Sequence, residues 1–430
     1  MQDQTFIMLR YGLYCCKTAF NYTGKVFDHS HHDQYHYEDF KKGWSILGRY
    51  QDQSDYEWNA WSSLTLNLTP FLAINFFISE LLKYKKFSYA IPLWHTFITT
   101  FFLIFHFVII HYLKPDLWFI SNEEDQYVIM VSSSWLVLRC ISFSYEKLSV
   151  SPPEKKKHAT LSSFLSLLDY AFYLPTMFCG PFISYSSFRE DGKIENKWTK
   201  NRIYLILKKF FKCLFWYYFT IFALHFIYVN AILLRPEFIQ HLLDWELAGL
   251  GIAMGHFFHL KYIVFYGIPC AWASAEGFLT PKLPCCVSTV HLYSYMWRRF
   301  DQGLYLFLVR YIYTPIIQGM KSDLLLKKVI ASMACFTFMF IWHKEQEYVF
   351  YWVLFNFVAI LIELIAKKIL TISKLQSFRE KNMSKNNQIR FQCFLSAPLH
   401  CFSMISNYFF IGNGVEIGFL YLKRVYYVGM

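Results

Sequence analysis

Residues 87–113 read FSYAIPLWHTFITTFFLIFHFVIIHYL, without a single Asp, Glu, Lys or Arg. About 20 apolar residues suffice to cross the hydrocarbon of a bilayer as a helix. In that medium every backbone N–H and C=O must find its partner inside the protein, which leaves helices or closed barrels. Comparable runs recur from Leu64 to Leu82, Tyr127 to Phe143, Leu161 to Phe178, Ile203 to Leu233, Leu247 to Trp272, Leu326 to Trp342, Tyr348 to Leu370 and Gln392 to Ile411. A shorter one spans Gly303 to Ile317. The expectation is an all-α polytopic membrane protein with roughly ten transmembrane or re-entrant helices. Composition agrees: charged residues are 17% of the chain, against about 25% in a soluble domain.

The formal net charge is +12. In a chain of this kind it reads as Lys and Arg held in cytoplasmic loops, and not as a nucleic-acid interface. KYKK (Lys83 to Lys86) and EKKKH (Glu154 to His158) fit that reading, and a basic cytosolic face also suits an anionic donor such as a coenzyme A thioester. The eleven cysteines form no CxxC pair, and most, such as Cys179, Cys213, Cys270 and Cys335, lie in apolar runs as small buried hydrophobes. Phe6 to Phe20 contains Arg10 and Lys17 and lacks a small-residue cleavage site, so it reads as a signal anchor or an interfacial helix. The polar segment after it carries His29, His31, His32 and His36 at irregular spacing with no cysteine, which favours a solvated loop or an amphipathic interfacial helix over a metal site. The chain thus divides into an N-terminal anchor and polar segment (1–63), a helix pair (64–126), a core (127–372), and a C-terminal linker with the last helix (373–430). Pro175, Gly180-Pro181, Gly267-Ile268-Pro269, Pro281 and Pro284 predict helix breaks, of the sort that line cavities at membrane depth.

The chemistry concentrates in Pro284 to Pro315, PCCVSTVHLYSYMWRRFDQGLYLFLVRYIYTP, and in His343, which ends the apolar run ASMACFTFMFIWH. An ionised side chain at a membrane helix centre costs on the order of 2.5–3.5 kcal/mol, so an acid and a histidine in such surroundings need a reason. Histidine titrates near neutrality, at about 6.5, and desolvation keeps it neutral and able to accept a proton. Trp297 and Asp301 stand at i and i+4, which puts them on one face if the segment is helical. Structural readings exist for each: His343 as a packed interfacial residue paired with Glu347, Asp301 as the partner of Arg298, Trp297 as a membrane-belt tryptophan, Cys286 as a buried thiol. Arg298 and Arg299 fit either donor phosphates or basic solvent. Core packing is the better account of His256 and His259.

The run CVSTVHLYSYMWRRFDQGLYLFLVRYIYTP closely resembles the signature of hedgehog acyltransferases, within the membrane-bound O-acyltransferase family. DYEWNAW, YLPTMFCGPFISYSSF, KYIVFYGIP, FIWH and ISNYFFIGNGVEIG resemble further landmarks of that group in the same order, so the resemblance covers nearly the whole chain. It implies a multi-pass enzyme of the endoplasmic reticulum or Golgi membrane. Its donor would be palmitoyl-CoA, entering a central acyl-transfer tunnel from the cytosol. Its acceptor would be the N-terminal cysteine amine of a hedgehog-like secreted signalling protein, arriving from the lumen. A related acceptor, a lipid alcohol or a Ser or Lys of another secreted signal, is the alternative. On the same basis the catalytic pair falls on Asp301 and His343, 42 positions apart. The resemblance also implies that Trp297 lines the donor tunnel and that Cys286 is an axial ligand of a structural haem b. The chain departs from the pattern after His343, where Lys344-Glu345 stands in place of Gly-Gly, and at its C-terminal end, where a further hydrophobic span is expected.

Overall fold

The computed structural model describes residues 39–106, 123–150, 160–191, 198–287, 292–343, 345–412 and 414–424. The first apolar run, the histidine-rich segment and the EKKKH loop lie outside them. Six helices among the described residues are long and apolar enough to cross a membrane: Tyr56–Tyr84, Gln126–Ser149, Asp244–Ala275, Leu324–Trp342, Glu347–Leu370 and Lys385–Ile411. The chain is a polytopic membrane protein, and its described residues are helical but for one small hairpin. Of the other expected runs, the one over 87–113 extends beyond the described residues, which show a helix over Ile91–Ile104. Leu161–Ala171 has 11 residues, and Lys200–Leu224 carries Lys200, Arg202, Lys208, Lys209 and Lys212.

The hairpin comes first. Strands β1 (Phe40–Lys42) and β2 (Tyr50–Asp52) pair antiparallel where a loop or interfacial helix was expected. The hairpin is seated on the bundle by the Trp44 N–H, which donates to His225 Nε2 at 2.9 Å. Asp52 accepts from the backbone N–H groups of Asn230 (3.0 Å) and Ala231 (3.2 Å). Helix α1 (Tyr56–Tyr84) then starts eight residues before its apolar run, because Asp55 caps it by accepting from the Trp58 N–H at 2.6 Å.

Helices α2 (Ile91–Ile104), α3 (Glu123–Val150) and α4 (Leu161–Ala171) pack beside α1 around Leu64, Leu72, Phe102 and Leu174. Arg139 of α3 is buried and donates to the carbonyls of Tyr170, Ala171 and Tyr173, satisfying groups that the end of α4 leaves without intrahelical partners. After the short α5 (Tyr185–Asp191), helix α6 (Lys200–Leu224) lies along α9 (Asp244–Ala275), with α7 (Val229–Leu233) and α8 (Pro236–His241) between them in sequence. Helix α9 is the axis of the bundle, with contacts to α1, α6 and the long C-terminal helix.

Pro269 does not break α9, contrary to the sequence expectation; the helix runs through it to Ala275. One missing N–H is tolerable in a membrane helix enclosed by neighbours, and Pro269 is itself buried. Pro175, Gly180-Pro181, Pro281 and Pro284 do lie outside the long helices.

The segment that carries the chemistry folds as short pieces: α10 (Tyr293–Arg299), α11 (Gln302–Leu308), a π-helical turn (Val309–Tyr313) and α12 (Thr314–Gly319). Pro315 cannot donate to Tyr311, and just before it the ladder shifts register, with the Thr314 N–H bonding to Val309 O. Gly303 is required here, since a methyl group on it would lie 2.6 Å from the Phe182 carbonyl oxygen. Helices α13 (Leu324–Trp342), α14 (Glu347–Leu370), α15 (Ser373–Asn382), α16 (Lys385–Ile411) and α17 (Val415–Tyr421) complete the fold. The pairs α13–α14 and α14–α16 close the core around Phe336, Met339, Val353 and Phe409.

Candidate active site

His343 ends α13, with its backbone N–H bonded to Met339 O at 3.1 Å. Its ring stands edge-on to Trp352 (centroids 5.3 Å apart) and Phe410 (4.8 Å). No hydrogen bond reaches its ring nitrogens among the described residues. Burial lowers its pKa from 6.5 to about 4, against the opposite pull of the Glu57 charge. The imidazole is therefore neutral at physiological pH.

Trp297 sits in α10, which is tied to α14 at two points. The Trp297 indole N–H donates to Asn356 Oδ1 at 3.1 Å, and the Ser294 N–H donates to Glu363 Oε2 at 3.0 Å. Asn356, itself buried, is held by the carbonyl of Trp352. These bonds fix the Trp297 ring 5.6 Å from Trp352.

Asp301 is the N-cap of α11: Oδ1 accepts from the Leu304 N–H at 2.9 Å, and Oδ2 accepts from the Tyr266 hydroxyl at 2.7 Å. Among the described residues no ion pair joins it to Arg298, so that structural alternative is set aside. Desolvation raises its pKa in spite of these hydrogen bonds. A carboxylate has about four lone-pair positions, and three donors occupy Asp301: Leu304, Tyr266 and the Gly303 backbone.

These residues join into a ring of contacts that is open between Trp297 and Asp301. From Asp301 the Tyr266 hydroxyl leads to Tyr262 (5.4 Å between rings), Tyr262 to Phe258 (4.8 Å), Phe258 to Phe410 (6.0 Å) and Phe410 back to His343. On the other side His343 meets Trp352 and Trp352 meets Trp297. Trp297 precedes Asp301 by four residues, but α10 ends at Arg299 and Asp301 caps the next helix. Phe258, Tyr262, Trp297, Phe300, Asp301, His343 and Phe410 each keep partial exposure. Phe258, Tyr262 and Tyr266 recur at i, i+4 and i+8 on α9, which is why one face of that helix forms a wall.

Sequence reasoning missed the residues that hold the ring: Asn356, Tyr262, Tyr266 and the cluster behind Tyr262. In that cluster Lys261 Nζ lies 2.9 Å from Asp55 Oδ2 and 2.7 Å from Glu57 Oε2. Glu57 also accepts from the hydroxyls of Tyr262 (3.1 Å) and Tyr127. A lone Asn within the apolar run YWVLFNFVAIL was a usable signal.

Two expected site residues stand apart. Arg298 is exposed. Cys286 lies in the loop after Pro284, half-buried, with its thiol hydrogen-bonded to His256, whose Nδ1 bonds in turn to Ile252 O at 2.8 Å. An axial haem ligand must turn its sulfur to iron beside an open face; here the sulfur faces an imidazole. Among the described residues no group of three or more His, Cys, Asp or Glu could hold a metal ion. This arrangement gives the haem expectation no support. A cavity of about 520 Å³ between the hairpin, α1 and α6, lined by Lys41, Gln51, Asn59 and Tyr217 among others, includes none of the ring residues.

A family model described as MBOAT, membrane-bound O-acyltransferase family, matches residues 76–406. Protein-cysteine N-palmitoyltransferase Rasp of Drosophila melanogaster is 29% identical over 378 residues, covering 86% of this chain and 70% of its own length. Protein-cysteine N-palmitoyltransferase HHAT of Mus musculus is 27% identical over 316 residues, 72% of this chain; the match spans 62% of the mouse protein. The HHAT-like protein of the same species is 24% identical over 377 residues, 77% of this chain and 72% of its own. On the strength of the match over residues 76–406, the chain belongs to the membrane-bound O-acyltransferase family.

Proposed function

We propose that this membrane-bound acyltransferase moves palmitoyl from palmitoyl-CoA to the N-terminal cysteine amine of a hedgehog-like secreted protein, in the endoplasmic reticulum membrane. The observation that carries the reading is the aromatic ring holding His343, Trp297 and Asp301, with the His343 nitrogens free of hydrogen bonds among the described residues. Partial exposure of residues that are nonetheless desolvated is what the wall of an internal passage would have, and it supports a tunnel between donor and acceptor sides. The N-palmitoyltransferase activities named for the Drosophila and mouse relatives support the donor and acceptor classes.

In the transfer, the amine lone pair attacks the thioester carbonyl carbon. The C–S bond breaks, and the coenzyme A thiolate leaves and takes up a proton. Neutral His343 receives the proton that the amine gives up and passes it on. Asp301, with room for one more donor, holds the amine. Trp297 borders the acyl chain, and the apolar walls exclude water that would hydrolyse the thioester. Arg298, exposed at the end of α10 and apart from the ring, meets the donor's phosphates in this reading.

The test is to incubate the purified membrane protein with labelled palmitoyl-CoA and a peptide beginning with Cys, beside the same peptide with a blocked N-terminus. Label on the free peptide alone is expected. Equal labelling of both would rule out amine acylation.

A further inference from the structure

The acceptor's α-amine has an ordinary pKa of about 8, so it arrives largely as ammonium at neutral pH. It brings one positive charge into an apolar enclosure, first on its own nitrogen and then on His343. A buried charge without a counter-charge is unstable there. Asp301 supplies one anion. The second lies behind Tyr262, where two carboxylates, Asp55 and Glu57, share the single ammonium of Lys261, leaving the cluster one negative charge in excess.

The geometry links this cluster to the ring. Tyr262 and Tyr266 stand one turn apart on α9, and each gives its hydroxyl to a carboxylate, Tyr262 to Glu57 at 3.1 Å and Tyr266 to Asp301 at 2.7 Å. Two anions therefore back the same wall. The Tyr262 ring packs on Phe258, and Phe258 on Phe410, the neighbour of His343. Among the described residues, Glu57 is the charged group whose field opposes the desolvation of His343. Facing Glu57 are Lys261 and Tyr262 from α9, Tyr127 from α3, Asp55 at the head of its own helix, and the Cys179 thiol.

Building on the proposed roles of His343 and Asp301, we infer that Glu57 is a positioning residue of the transfer. Its carboxylate, held by Lys261, Tyr127 and Tyr262, is the counter-charge for the proton that moves from the acceptor's ammonium to the His343 imidazole. It touches neither substrate, and it acts through the field across Tyr262.

The test compares wild type, Glu57→Gln, Glu57→Asp, Asp55→Asn and His343→Ala, each purified and checked for folding by thermal unfolding, with kcat measured from pH 6 to pH 9. Glu57→Gln is expected to lose about tenfold in kcat at pH 6, with the KM for palmitoyl-CoA unchanged, and to recover as pH passes the amine's pKa of about 8. Glu57→Asp restores most of the rate. Asp55→Asn keeps the helix cap and neutralises the same excess charge, so it gives a deficit with the same pH trend. A pH-independent deficit, or none, in Glu57→Gln would overturn the inference; if that variant does not fold, Asp55→Asn decides by the same criterion. His343→Ala separates the two claims. Turnover without His343 overturns the base assignment itself, whereas an inert His343→Ala beside normal Glu57→Gln and Asp55→Asn overturns only the role of Glu57.

Discussion

His95 and His343 both stand inside the helix bundle, but only His95 has its ring nitrogens engaged. Its Nδ1 lies 2.6 Å from Asp169 Oδ1, and its Nε2 lies 3.2 Å from Ser79 Oγ and 3.9 Å from Glu276 Oε2. Asn75 and Lys83 complete that cluster through Glu276. Ser79 is fully buried and His95 2% exposed, so a serine, a histidine and an aspartate in triad order have no room for a substrate. They bolt α1, α2, α4 and the end of α9 together. His343 has the opposite surroundings: aromatic edges around it, partial exposure and uncommitted nitrogens. The contrast teaches that a satisfied polar constellation marks a brace, while an unsatisfied imidazole in a dry wall marks a place where something binds.

This contrast breaks most readily at His95. His95→Ala should lower stability by on the order of 2 kcal/mol, because it leaves buried Ser79 and half-buried Asp169 without their partner. Activity per folded molecule should persist, as read by thermal unfolding in detergent beside a transfer assay. A stable but inactive His95→Ala would make the brace a functional site.

Asp52 sharpens the comparison as a buried acid that is hydrogen-bonded yet still strained by burial, which lifts its pKa from 3.8 to about 6 against bonds from Ser54, Ala231 and Asn230. The folded state therefore binds the proton more tightly than the unfolded chain. The stability it contributes is complete below pH 3.8 and is lost as pH rises through about 6. The loss is at most ~3 kcal/mol. Unfolding midpoints measured across that window should fall with rising pH in the wild type, and Asp52→Asn should flatten the trend. An unchanged slope in the variant would clear Asp52 of the effect.

The smallest effect concerns the turn after His343. Glu345 adopts φ of +52°, a left-handed conformation that glycine takes without cost, and its N–H bonds to Phe340 O at 3.2 Å. Glu345→Gly should raise stability by up to ~1 kcal/mol and leave transfer intact. A loss of stability would mean that the glutamate side chain contributes contacts outweighing its backbone strain.

Much of this was legible in the sequence because membrane physics is local. Runs such as Tyr348 to Leu370 announce helices by length and polarity alone, and Asp301 and His343 stand out as ionisable groups in apolar surroundings. Spacing put Trp297 and Asp301 on one helix face, but α10 ends at Arg299 and Asp301 caps the helix after it. What spacing could not show were bonds made across long separations: Tyr262 to Glu57, Trp297 to Asn356, and Lys261 to Asp55. The break expected at Pro269 failed for a related reason, since enclosure by other helices decides whether a proline ends a membrane helix. Asp55, read as part of a polar segment, acts as the cap from which the first span begins.

The account rests on His343 as the proton acceptor of an acyl transfer, and the most direct measurement is single-turnover transfer from labelled palmitoyl-CoA to an N-terminal Cys peptide by purified wild type and His343→Ala. The account predicts that the variant unfolds at the wild-type temperature and loses on the order of 10²–10⁴-fold in rate. A folded His343→Ala protein that transfers at the wild-type rate would contradict it.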